Sequence, residues 1–163
     1  MNRYDRYLVW LLACAAATVA VAWIAFGLQQ EGIAPAILFP LMVGGVLGAI
    51  GVVVRRFTQV PGVRVAVAAA VVWGLLVVVG QDYIGHRRRL EVLEDQLTAQ
   101  GPVGALASTQ VIELRPDFFE YVVGLAEREP VWWTIDLVCT AAAAACVTAW
   151  GARRFPPALI PEP

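Results

Sequence analysis

The sequence predicts an all-α integral membrane protein, built as a four-helix transmembrane bundle. Three observations lead to this fold class: 60% of the 163 residues are hydrophobic, the mean hydropathy is +0.69, and the apolar residues fall in four long runs. These runs cover about residues 7–28, 34–54, 63–80 and 131–150. Each approaches the ~20 residues that a helix needs to cross ~30 Å of hydrocarbon, and a helix satisfies its own backbone hydrogen bonds in lipid. We therefore expect a single polytopic membrane domain over residues 1–163.

The first run has the flanks of a secretory signal, because Arg3 and Arg6 precede it. A signal sequence has a short apolar region of ~7–15 residues, which ends before a polar mature chain. Here the apolar sequence continues past Cys14 to Leu28. We therefore expect this run to be retained as a transmembrane helix.

The second run is joined to its neighbours by two short links. The link at residues 29–33 is short enough to make the first two spans antiparallel neighbours. The second span closes on Arg55 and Arg56, and Pro61 with Gly62 marks the turn into the third run.

The third run predicts a helix that extends beyond the membrane. Leu90, Leu93 and Leu97 recur at helical spacing, and the first strong helix breaker is the Gly-Pro pair at residues 101–102. A helix over residues 63–100 would be ~57 Å long, nearly twice the thickness of the hydrocarbon.

The extramembrane excursion between spans three and four, residues 81–130, contains a second amphipathic segment. Phe118, Val122 and Leu125 recur at helical spacing, and Pro130 ends the pattern. This pattern predicts a short amphipathic interfacial helix before the fourth span. Packing of the same helix on the extension of the third helix is an open alternative.

The arginines predict the orientation of the chain. Four spans place both termini on one side, and the cytoplasmic side usually carries more arginine near the span ends. Seven arginines fall on the side of the termini and five on the other; the seven are Arg3, Arg6, Arg55, Arg56, Arg64, Arg153 and Arg154. We expect both termini to be cytoplasmic. All twelve of the lysine and arginine residues are arginine, which is typical of proteins from GC-rich bacterial genomes. We therefore expect the protein to lie in the bacterial inner membrane.

Charge and residue usage exclude several classes of function. The net charge is −1 and the arginines are scattered around the span ends, so no basic face for nucleic acid is expected. Cys14, Cys139 and Cys146 all lie in apolar runs, which argues against a disulfide framework. His86 is the only histidine, and no ligand cluster has the spacing of a metal site, so we expect no metal, haem or other cofactor.

Asp136 is the candidate intramembrane functional carboxylate, because it lies about two turns into the fourth run. Ionisable groups are costly in hydrocarbon and tend to face a bundle interior or a cavity. The structural alternative is that Asp136 lies near the headgroups, or pairs with an arginine such as Arg87.

A cluster of His86, Arg87, Arg88 and Arg89 follows the third run and is the candidate lipid- or anion-binding site. Guanidinium groups suit phosphate oxygens, and arginines beside a span can bind anionic headgroups. The alternative is that these arginines form an ordinary solvated flank of the membrane.

Gly44, Gly48 and Gly51 form a stripe along one face of the second span. Small residues let helices approach closely in lipid, where van der Waals contact replaces the hydrophobic effect. The stripe predicts a packing surface, used either within the monomer or for self-association.

No catalytic residue is predicted, since a nucleophile elbow, a zincin motif and a phosphate loop are all absent from the sequence. The leading hypothesis is a non-enzymatic accessory, scaffold or assembly subunit that acts through its extramembrane helices. Its expected partners are membrane lipids and either a protein or a second copy of the chain on the small-residue faces. The alternatives are a small oligomeric transporter or channel using Asp136, and a lipid-modifying enzyme using the arginine cluster.

Overall fold

The computed structural model describes residues 3–31, 38–59, 62–99 and 117–155. These residues form five helices and no strand: α1 (Arg3–Gln30), α2 (Leu38–Thr58), α3 (Val63–Thr98), α4 (Phe118–Arg128) and α5 (Pro130–Arg154). The helices α1, α2, α3 and α5 are long and apolar enough to cross a membrane. The predicted all-α transmembrane bundle is confirmed.

The boundaries of the helices differ from those of the apolar runs at several ends. The helix α1 begins before its run, and α2 continues through Arg55 and Arg56 to Thr58. Arginine is a good helix former, so a helix does not have to stop where the apolar residues stop. The first residues of the predicted second span, 34–37, lie outside the described residues, as does most of the link that precedes it.

The helix α3 has 36 residues, which correspond to ~54 Å, so its predicted extension beyond the membrane is confirmed. It ends at Thr98, shortly before the predicted break at residues 101–102, which lies outside the described residues. Residues 103–116, which follow this break within the predicted excursion, lie outside them as well.

The turn between α2 and α3 depends on two residues with positive φ. Gln59 has a φ of 55° and Gly62 a φ of 99°, a conformation that glycine adopts at little cost. The Arg6 guanidinium donates a hydrogen bond from Nη1 to Oε1 of Gln59 at 2.8 Å. The start of α1 and the α2–α3 turn therefore lie at the same end of the bundle, called the termini end below.

Close packing of α5 on α2 and α3 forms one side of the bundle. A methyl group in place of the Gly48 hydrogen would lie 2.7 Å from the carbonyl oxygen of Ala144, and one at Gly74 would lie 3.1 Å from Cα of Ala141. The Thr148 hydroxyl donates to the Gly48 carbonyl oxygen at 3.4 Å. The three helices are therefore close enough for backbone contact, as small residues permit in lipid.

The opposite end of the bundle, called the distal end, is where α1 ends and α5 begins. Here α3 continues past α1, and α4 packs against α3 and α5. The Asp117 carboxylate caps α4 by accepting a hydrogen bond from the backbone N–H of Phe118 at 2.7 Å. The predicted short helix before the fourth span is therefore confirmed, and it also packs on the extension of α3.

Candidate functional site at the distal end

Asp82 and Trp133 connect α3 to α5 at the distal end. Trp133 lies in the first turn of α5 and donates from Nε1 to Oδ2 of Asp82 at 3.1 Å. Both side chains are half-buried. Asp82 follows the apolar run of α3 by two residues, and it therefore lies opposite the start of the last span, which runs antiparallel to α3.

Asp136, the candidate intramembrane carboxylate, lies on α5 three residues after Trp133 and is half-buried. It interacts electrostatically with Asp82, so two carboxylates from different helices repel each other at this position. Arg89 attracts Asp82. The structure thus gives Asp136 an acidic neighbour, Asp82, on another helix.

Two neighbouring carboxylates have a limited range of chemistry. Because the two like charges are unfavourable when both are ionised, protonation of one of them, or a cation nearby, relieves the repulsion. Among the described residues, no group of three or more histidine, cysteine, aspartate or glutamate side chains is arranged to hold a metal ion. Within that part of the chain, Asp82 and Asp136 are therefore suited to a proton or a weakly held cation.

His86 is buried beneath α4, with 7% of its surface exposed. Its ring lies 4.4 Å from that of Tyr121, and Tyr83 makes an edge-on contact with Phe118 at 5.3 Å. These two ring pairs hold α4 against the extension of α3. His86 therefore lies in the contact between the two helices.

The four residues of the predicted anion site lie in different surroundings. Arg87, Arg88 and Arg89 are all exposed, and Arg88 and Arg89 line a cleft between α3 and the end of α1. His86 lies instead against Tyr121 of α4, so the four residues are divided between two surfaces of α3. The cleft brings Arg88 and Arg89 together with residues of α1 that the sequence did not associate with them.

The glycine stripe of α2 faces α5 in the same chain. A methyl group at Gly44 would overlap the carbonyl oxygen of Thr140, and one at Gly51 would lie 3.9 Å from Oγ1 of Thr148. Together with the contact of Gly48 on α5, these distances show that the stripe is occupied by intramolecular packing. Self-association through this face would require α5 to move away.

Sequence reasoning missed three polar features of the bundle. Asp82 was not singled out, although its place two residues past an apolar run and opposite Asp136 was a usable signal. Arg55 is 4% exposed and donates from Nη1 to the carbonyl oxygen of Ala152 at 3.4 Å, across the α2–α5 contact. Among the described residues, the buried indole N–H groups of Trp10 and Trp73 have no acceptor. Nothing in the sequence pattern indicates which tryptophans find a partner.

Comparison of the chain with known protein families, with curated proteins and with solved structures finds no match.

Proposed function

We propose that the protein is a non-enzymatic accessory or assembly subunit of the bacterial inner membrane, which acts through its extramembrane helices. The observation that carries this proposal is the outer face of α4, defined by Phe119 and Val123. These side chains are 76% and 53% exposed and lie one turn apart on α4.

The rest of α4 supports a role in presenting this face. Phe118 and Tyr121 contact α3, so the inner side of α4 fixes the helix to the bundle. The Asp117 carboxylate caps the start of the same helix. A preformed amphipathic helix that shows an apolar face can enter a groove on a partner protein without the entropic cost of folding. The membrane surface is the competing occupant of the same face.

The proposed orientation places both termini in the cytoplasm and α4 on the other side of the membrane. It is supported by the arginines of the termini end, such as Arg6, Arg55 and Arg56. The cytoplasmic side of a membrane protein usually has the excess of arginine near its span ends.

Co-purification from native membranes tests this proposal with the double variant Phe119→Ser/Val123→Ser. We expect the unchanged chain to retain one partner in a fixed ratio, and the double variant to lose it. The matched control Glu127→Gln changes an exposed polar residue of the same helix and should keep the partner. Equal recovery with both variants, or no partner with the unchanged chain, would contradict the proposal.

The second candidate function is a small transporter that uses Asp82 and Asp136. It is favoured by one observation: the hydrogen bond from Trp133 holds Asp82 against the start of α5, where Asp136 follows Trp133 by three residues and is repelled by Asp82. A carboxylate pair of this kind can take up a proton on one side and release it after a rearrangement.

Proton flux into liposomes tests this second candidate. If the pair carries protons, Asp82→Asn and Asp136→Asn each abolish the flux, and the exposed control Arg87→Gln retains it. No flux with the unchanged chain, or flux that survives both substitutions, removes the transporter hypothesis.

A further inference from the structure

A cleft of about 460 Å³ lies between the end of α1 and the extension of α3. Phe26 and Gln30 line it from the side of α1. From α3 it is lined by Gly85, Arg88, Arg89, Val92, Leu93 and Gln96. This α1–α3 cleft is within the size range of ligand sites, ~300–1,000 Å³.

Contacts between α1 and α3 set the depth of the cleft relative to the membrane. A methyl group at Gly80 would lie 3.4 Å from Cβ of Ala22, and one at Gly85 would lie 3.3 Å from Cε2 of Phe26. The two helices therefore rise side by side in the same direction. Phe26 still belongs to the apolar part of α1. Arg88 lies one turn after Gly85 on α3, ~5 Å further from the membrane-spanning part.

The cleft therefore combines an aromatic side chain on its membrane side, Phe26, with two arginines at the point where α1 ends. Guanidinium groups form paired hydrogen bonds with phosphate oxygens, and basic pockets between transmembrane helices suit anionic headgroups. Asp82 attracts Arg89 but does not line the cleft, so among the described residues the lining carries two positive charges and no carboxylate.

A soluble anion such as phosphate would gain no binding energy from the apolar part of the lining. A phospholipid can contact both parts, because with its phosphate on the arginines its glycerol and acyl groups extend toward the membrane, where Phe26 lines the cleft. We infer that the α1–α3 cleft binds the phosphate of an anionic phospholipid between Arg88 and Arg89. This site does not depend on a protein partner, so it stands apart from the proposed function.

Native mass spectrometry of the full chain in a neutral detergent tests the inference, with phosphatidylglycerol as the added lipid. The double variant Arg88→Gln/Arg89→Gln should bind phosphatidylglycerol about tenfold more weakly, as expected for the loss of charge-assisted hydrogen bonds worth ~1.5 kcal/mol or more. The control Arg87→Gln/Arg128→Gln removes the same charge from exposed positions outside the cleft and should bind like the unchanged chain. Equal binding by the two double variants would overturn the inference.

Inorganic phosphate and the variant Phe26→Ala distinguish a lipid from a free anion. Phe26 lines the membrane side of the cleft, so its replacement should weaken phosphatidylglycerol binding severalfold, while an unchanged circular dichroism spectrum shows that the bundle is kept; Phe119→Ala, which removes the same ring outside the cleft, should not weaken binding. Inorganic phosphate that displaces the lipid at an equal concentration, or equal phosphatidylglycerol binding by the two variants, would make the cleft a free-anion site and overturn the assignment to a lipid.

Discussion

Trp133 of α5 donates its indole hydrogen to the carboxylate of Asp82 on α3, with Nε1 and Oδ2 3.1 Å apart. This bond joins two helices that are far apart in sequence at the edge of the membrane-spanning part. It also fixes one carboxylate of the pair that includes Asp136. The distal end of the bundle is thus held together by a polar contact, whereas the middle of α5 is held by close backbone packing on α2.

Replacing Trp133 with phenylalanine should destabilise the bundle. A half-buried carboxylate loses its donor, which costs about 1–2 kcal/mol in the free energy of unfolding. Unfolding in mixed micelles with a denaturing detergent measures this change. The neighbouring Trp132 is exposed and makes a matched control, and Trp132→Phe should stay within about 0.5 kcal/mol of the unchanged chain. Equal losses for the two variants would refute the structural role of the bond.

Replacing Trp10 with phenylalanine should cost less stability than replacing Trp133, although Trp10 is only 2% exposed. Among the described residues its N–H has no acceptor, so its removal relieves a desolvation penalty that offsets part of the lost packing. The same unfolding assay compares the two variants. A larger loss for Trp10→Phe would mean that this N–H is satisfied in the membrane, for instance by bound water.

Gly44 should tolerate no side chain. Alanine at this position forces its methyl group against the Thr140 carbonyl oxygen, so α2 and α5 must separate, at a cost of about 1–3 kcal/mol in the free energy of unfolding. The adjacent Gly45 has open space around it and provides the control. Gly45→Ala should leave the stability unchanged or raise it, and a loss as large as that of Gly44→Ala would contradict the packing.

Replacing His86 with alanine should loosen α4 from α3. The variant loses the ring contact with Tyr121, so the local opening of α4 becomes more favourable and its amide hydrogens exchange faster. Hydrogen exchange of residues 118–128 followed by mass spectrometry measures the effect. The exposed neighbour Arg87 serves as the control, since Arg87→Ala removes no contact with α4. Unchanged exchange in the His86 variant would show that α4 is held by other contacts.

Periodicity was sufficient to predict most of the fold. Apolar run length predicted the four spans, and the leucine spacing after Gly80 predicted the long α3, because both are local properties of a helix. The capped start of α4 follows equally from local sequence, with Asp117 ahead of an amphipathic stretch.

The candidate site was harder to predict because it depends on contacts between distant helices. Asp136 was found because it is a carboxylate within an apolar run. Its neighbour Asp82 is 54 positions earlier in the sequence, and the proximity of the two residues follows from the register of α3 against α5. The sequence placed His86 and the three arginines that follow it in one site, although successive residues of a helix point to different sides. Only the position of α1 shows that Arg88 and Arg89 share a cleft with Phe26.

Site-specific photo-crosslinking in native membranes tests the central claim most directly, namely that the outer face of α4 contacts a protein. A photoreactive amino acid at Phe119 should form a crosslink to one defined protein, while the same group at Met42, which is exposed on the membrane-spanning part of α2, should capture lipid. Crosslinks to lipid alone from both positions would show that α4 rests on the membrane surface, and would contradict the account.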